Sequence, residues 1–305
     1  MGIPLKDTIK KTVRTHLREG HLAFGQCLTA VGWVGGTLPE LYEEDGMIEL
    51  PMADVAGGGF VVGAGLMGRR PIYVIRYQGF NWYNCISILN YACKSKEMWG
   101  VPCPIFVRGV AMEGSIGPVA GSSHHSLYYR MPGVKIYSPM TNREYEECYS
   151  DFMDSDEVFY VSEHRGSFGN SEELPDIEYE NPHICLFPVS ITRFAAVEVS
   201  KKLIKEGIKV SVFHQRIIKP HNFSPQSISS LNDCGKGIVL DNDYEDGICS
   251  AIAHKLMMKA LGSEVHCMGL KNKVAGFSKH LDNLPPNIEE IYNTIKSILG
   301  GIIER

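Results

Sequence analysis

Apolar runs and small-residue helical stretches alternate along the first half of the chain. Ile48-Glu-Leu50 is a short apolar strand that stops at Pro51, and residues 55–67 carry the small side chains of a helix that another backbone or a flat ligand can approach closely. Residues 71–77 alternate β-branched and aromatic side chains and predict a strand. A helix over 85–98 and a strand over 104–110 follow. Strands that alternate with helices predict an α/β fold built on a parallel sheet. In such sheets the chemistry sits at the carboxyl ends of the strands, which puts Asp54, Phe80 and the His124-His125 pair on one edge. The loop over 113–126 that ends in these histidines is rich in glycine and serine.

Residues 158–162 read as the last strand of a first domain, and 167–182 as a polar, proline-bearing linker. A second α/β unit then begins. Its helix over 194–205 ends at Gly207, and strands are predicted over 209–213 and 237–241, with a helix over 248–261. The expected domains are residues 1–175 and 186–305.

Composition narrows the class. With 305 residues and 44% hydrophobic content there is material for two sizeable cores. No run approaches the roughly 18 apolar residues that span a membrane, and the N-terminus lacks the apolar stretch of a signal peptide. A cytoplasmic enzyme subunit is expected. The nine cysteines are dispersed and free of C-x-x-C pairs, so neither disulfides nor a zinc site is expected. The net charge of -5 and the absence of a Lys/Arg block argue against a nucleic-acid surface.

Asp54, at a strand-to-helix junction, caps backbone N–H groups or serves chemistry; position alone leaves both open. Order adds more. Pro51-Met-Ala-Asp54, Arg70-Pro71, Phe80, Pro-Cys-Pro-Ile-Phe-Val-Arg-Gly over 102–109, His124-His125-Ser126 and Pro132-Gly-Val-Lys-Ile-Tyr-Ser-Pro139 occur in sequence. This series resembles the β subunits of thiamine-diphosphate-dependent 2-oxoacid dehydrogenases. It is equally similar to the C-terminal half of transketolases, split transketolases included. The resemblance covers nearly the whole chain and implies a pyrimidine-binding fold with a parallel sheet, followed by a transketolase-type C-terminal α/β domain.

It also implies roles. Asp54 stands where the family has a glutamate that bonds N1′ of the cofactor's pyrimidine, one methylene shorter. Phe80 stands where an aromatic ring stacks on the pyrimidine, with Met52 and Tyr83 as further cofactor-binding residues. His124 and His125 correspond to histidines that face the substrate carbonyl and move protons. The loop after Ser126 is shorter than in the family. Each residue also has a plain reading: a helix cap for Asp54, core aromatics for Phe80 and Tyr83, loop surface for the histidines. The chain lacks the G-D-G and downstream asparagine that hold magnesium and the diphosphate. Glu44-Asp45-Gly46 and Glu245-Asp246-Gly247 read as turns. No metal ligands are therefore expected on this chain, and an α-type partner carrying that motif is expected in an α2β2 assembly. Asp154 and Asp156 match a potassium loop of some relatives or form a solvated turn.

Three functions follow from the resemblance: two-carbon ketol or acyl transfer from a ketose or 2-oxoacid donor to an aldehyde or keto-sugar acceptor; a 2-oxoacid dehydrogenase β subunit working with a lipoyl carrier; and a catalytically degenerate structural subunit, motivated by the missing glutamate. The shortened histidine loop and Asp54 favour the first.

Overall fold

Ile72–Ile75, Phe106–Ala111 and Val158–His164 are buried along their whole length. Strands buried on both faces belong to a parallel sheet covered by helices on each side. The computed structural model describes residues 2–30, 32–114, 116 and 121–303. Its strands in chain order are β1 (Ala23–Gln26), β2 (Met47–Leu50), β3 (Ile72–Ile75), β4 (Phe106–Ala111), β5 (Val134–Tyr137) and β6 (Val158–His164). Then come β7 (Ile184–Pro188), β8 (Val210–Val212), β9 (Ile217–Lys219), β10 (Lys236–Tyr244) and β11 (Glu264–Leu270).

The chain divides into two units, residues 1–173 with 218–220, and residues 174–217 with 221–305. The first holds a seven-stranded sheet in the order β2-β1-β3-β4-β6-β5-β9, parallel throughout β1 to β6. The sequence pattern assigns 215–220 to the second domain, whereas β9 forms the edge strand of the first sheet. There the Lys219 ammonium donates to the carbonyls of Tyr129, at 3.0 Å, and Met131. Helix Leu5–Arg18 packs in this unit through Leu5, Ile9, Val13 and Leu17, an i, i+4 stripe of buried side chains.

The second unit has a parallel four-stranded sheet, β11-β10-β7-β8. Its core sets Ile184, Leu186, Val210, Val212, Ile238 and Leu240 against helices Thr192–Leu203 and Ile288–Ile303. Among the described residues no helix is long and apolar enough to cross a membrane. All nine cysteines are free.

Two histidines, one buried and one half-buried, tie stability to pH. His16 is fully buried with Nδ1 2.8 Å from the Tyr149 hydroxyl, and burial, reinforced by His21, lowers its pKa from 6.5 to about 3. His221 in the second unit is lowered to about 3 by burial and then by Lys255. The unfolded chain takes up these protons first, so their stabilisation is present above pH 6.5 and is lost as pH falls towards 3. Urea midpoints should therefore fall steadily from pH 7 to pH 4, and His16→Gln should flatten that slope. An unaltered slope in the variant contradicts the assignment to His16.

Candidate functional site

The chain visits β1, places β2 on one side of it and then β3 on the other. That reversal of strand order opens a crevice beyond the carboxyl ends of β1 and β3, the position at which open α/β sheets bind ligands. A cavity of about 180 Å³ lies there. Gln26 and Cys27 line it from the end of β1, Met52 and Asp54 from the turn after β2, and residues 73–77, Phe80 and Asn84 from β3 and the helical turns that follow.

Each wall is held by identifiable contacts. The Glu49 carboxylate on β2 accepts from the backbone N–H groups of Leu28, at 2.9 and 3.0 Å, and Thr29, at 3.3 Å. This clamp fixes the turn in which Cys27 takes a left-handed backbone, φ 53°, a conformation that costs a non-glycine residue on the order of 1–3 kcal/mol. Helix Asp54–Leu66 turns Gly57, Gly58, Val61, Val62 and Gly65 inward. A Cβ on Gly58 would stand 2.5 Å from the Asn84 carbonyl oxygen, so only glycine lets helix Asn81–Ser87 come this close.

That approach brings Asn84 to Asp54. Asp54 is the first residue of its helix, behind Ala53, which makes no side-chain cap. Its half-buried carboxylate does not bond its own helix; Oδ1 accepts from Asn84 Nδ2 at 2.7 Å. Asn84 Nδ2 also donates to the Phe80 carbonyl at 2.9 Å, and the Tyr73 hydroxyl donates to Asn84 Oδ1. Burial, and after it the charge of Asp54, raises the Tyr73 pKa well above 10, so the phenol stays protonated. Gln26 Nε2 is buried in the same wall with no partner among the described residues. A buried donor without an acceptor in the protein is uncommon and calls for one from outside. A half-buried carboxylate, an orphaned amide donor and the rings of Tyr77 and Phe80, 6.1 Å apart, together suit a flat heteroaromatic group with nitrogen atoms on its edge.

The remaining sequence candidates fall as follows. Met52 is exposed at the cavity rim. Tyr83 is exposed and borders a shallow depression with Ala53, Val55 and Ala56 that meets the cavity at Asp54, which lines both. Neither histidine lines the cavity. His124 is half-buried, edge-on to Trp82, and its backbone N–H donates to Gln78 Oε1 at 2.7 Å. His125 is fully buried, with Nδ1 3.1 Å from Ser162 Oγ. Gln78 Nε2 donates to the same Ser162 Oγ, at 2.8 Å, so one buried glutamine fastens the turn after β3 to the histidine turn and to β6. Ser115 and residues 117–120 of the preceding loop lie outside the described residues.

Gln26, Cys27, Tyr73 and Asn84 were not singled out in the sequence, although Asn81 and Asn84, polar residues at i and i+3 that are both buried, carry a helical-spacing signal. A further pair closes the carboxyl ends of β4 and β6. His164 Nδ1 accepts from the Gly166 N–H at 3.0 Å, which leaves the proton on Nε2 for Glu113 Oε2 at 2.5 Å.

Residues 18–170 match the family described as transketolase, pyrimidine binding domain. The chain is 23% identical to the pyruvate dehydrogenase E1 component subunit beta of Bacillus subtilis, over 95% of this chain and 97% of that one. It is 24% identical to the beta subunit of the acetoin:2,6-dichlorophenolindophenol oxidoreductase of Cupriavidus necator, over 77% and 74%. Among solved structures, a split-gene transketolase described as an inactive beta4 tetramer superposes with a TM-score of 0.70 at 14% identity, over 98% and 99% of the two chains.

Proposed function

Because the chain belongs to the transketolase pyrimidine-binding-domain family, we propose that it is the pyrimidine-side subunit of a heteromeric thiamine-diphosphate-dependent enzyme that transfers a two-carbon ketol or acyl unit. The observation that carries this reading is the Asp54 carboxylate set in one small cavity with an unpartnered Gln26 amide and the Phe80 ring. When bound, thiamine diphosphate supplies an electron sink at its thiazolium carbon. Asp54 would hold and return a proton at the pyrimidine N1′, the Gln26 amide would donate to the pyrimidine, and Phe80 would pack against it. Magnesium and the diphosphate belong to an α-type partner.

Heteromeric assembly agrees with the surface of the first unit. Val55 and Phe60 on the Asp54 helix, Met67 just beyond its end, and Trp82, Tyr83 and Ile86 on the next helix are all exposed, and no charged side chain lies between Val55 and Met67. A cluster of exposed large apolar residues marks an interaction surface. The relatives support two reactions: the dehydrogenase β subunits favour oxidative transfer of an acyl group, and the split transketolase favours ketol transfer to an aldehyde or keto-sugar. The reconstituted complex discriminates between them. Ketol transfer predicts consumption of an aldehyde acceptor with no oxidant present, whereas the dehydrogenase reading predicts turnover of a 2-oxoacid only with a lipoyl domain or an artificial electron acceptor. Failure of both assays would favour a structural subunit.

On the substrate side, proton handling falls to His124, the less buried of the two histidines. His124→Ala should lower kcat about a hundredfold, the low end for a positioned proton-transfer group, with cofactor affinity unchanged. His125→Ala, which removes a fully buried ring and one of the two contacts at Ser162 Oγ, leaving the one from Gln78, should chiefly cost stability, about 1–3 kcal/mol. Unchanged turnover in His124→Ala removes that histidine from the mechanism.

A further inference from the structure

We propose that Asn84, fixed by Tyr73, is a positioning residue that adapts this site to aspartate, by gripping one oxygen of Asp54 and leaving the other for the cofactor. The inference rests on the reading of Asp54 given above. Its basis is a fully used amide. Asn84 is 4% exposed, and both of its donor directions have acceptors, Asp54 Oδ1 at 2.7 Å and the Phe80 carbonyl at 2.9 Å. Its one acceptor is engaged by the Tyr73 hydroxyl. The hydroxyl must be the donor to Oδ1, because an amide oxygen carries no proton to give. With oxygen towards Tyr73 and nitrogen towards Asp54, the amide has a single orientation that satisfies every group; a flip would set Nδ2 against Tyr73 and Oδ1 against the Asp54 carboxylate and the Phe80 carbonyl.

Aspartate needs this support for a physical reason. Its carboxylate is separated from the backbone by a single methylene, so it has little reach and its direction decides which atom it meets. The Asn84 bond takes up Oδ1 and thereby aims Oδ2. The anchor is rigid at every step: Tyr73 is fully buried within β3, and the helix that carries Asn84 is seated against Gly58. The same anchor touches the Phe80 carbonyl, so the carboxylate and the ring that lines the cavity beside it are held by one side chain.

Two measurements test this. In the full chain labelled with ¹⁵N-asparagine, the Asn84 side-chain amide, assigned by its loss in Asn84→Ser, should exchange slowly with solvent, and Asp54→Ala should speed that exchange at least about tenfold. In the complex reconstituted with the α-type partner and loaded with thiamine diphosphate, Asn84→Ala should slow proton exchange at the thiazolium carbon about 10–100-fold, the usual effect of removing a partner that orients a functional group. The Kd for the cofactor should move less than the exchange rate. Tyr73→Phe should give a smaller loss of the same kind, and Asn84→Ala should add nothing in an Asp54→Asn background. If Asp54→Asn slows exchange but Asn84→Ala does not, the positioning role is wrong and the reading of Asp54 stands. If Asp54→Asn leaves exchange unchanged, that underlying reading itself fails.

Discussion

Asp54→Asn should slow proton exchange at the thiazolium carbon of the bound cofactor by about 10²–10⁴-fold in the reconstituted complex, the span expected for loss of a positioned acid–base group. The substitution keeps the shape of the side chain and preserves an acceptor for Asn84, so the fold around the 2.7 Å contact should persist. What it removes is the proton that a carboxyl can lend to a ring nitrogen and an amide cannot. Asp54→Glu is the informative companion. The cavity is closed behind Asp54 by Asn84 and Tyr73, so the added methylene should overpack it, costing about 1–3 kcal/mol of stability or displacing the ring. A rise in activity on Asp54→Glu would instead mean that the pocket merely tolerates the shorter acid.

Glu163→Gln should cost the chain about 3–5 kcal/mol of unfolding free energy, because it leaves the Arg108 guanidinium charged and buried without its counter-ion. Arg108 has no exposed surface. Its Nε and Nη2 donate to the two oxygens of Glu163 at 2.6 and 2.9 Å, Nη2 reaches Thr37 Oγ1 at 3.0 Å, and the Tyr145 hydroxyl donates to Glu163 at 3.3 Å. The two residues lie on neighbouring strands, β4 and β6, at the centre of the first sheet. Removing both charges together, as in Arg108→Met with Glu163→Leu, should be much milder than removing one, since a buried pair returns little more than the cost of drying it. Urea denaturation of the three variants reads this directly. A loss below about 1 kcal/mol in Glu163→Gln would show that the guanidinium finds water or another acceptor.

Local pattern made the edge of the site legible and left its interior unread. β2, the glycine-rich helix after it, β3 and β4 announce themselves because apolar runs meet proline and glycine at their ends. β1, Ala-Phe-Gly-Gln, is too short and too weakly apolar to stand out, yet it is the strand at which the sheet order reverses, and it brings Gln26 and Cys27 to the cavity. Gly25 serves there by its lack of a side chain: a Cβ would stand 2.8 Å from the Val74 carbonyl oxygen on β3. Tyr83 and Asn84 show the limit of reading neighbours. One step along a helix turns a side chain by about 100°, so Asn84 faces Asp54 while Tyr83 faces outward. The histidine pair illustrates the same limit in a loop: adjacent residues point apart, and His125 goes into the core because Ser162 on β6 offers it a partner. Tyr73 could be read as a strand residue, but its bond to Asn84 joins positions eleven residues apart in sequence and exists only after folding.

The central claim is that this chain carries the pyrimidine half of a cofactor site completed by a partner. Calorimetric titration of thiamine diphosphate and magnesium into the chain alone, the α-type partner alone and their equimolar mixture tests it most directly. The account predicts tight binding in the mixture only, weakened when the mixture contains Gln26→Ala or Asp54→Asn. Micromolar or tighter binding to the isolated chain, or binding in the mixture that is indifferent to both substitutions, would contradict it.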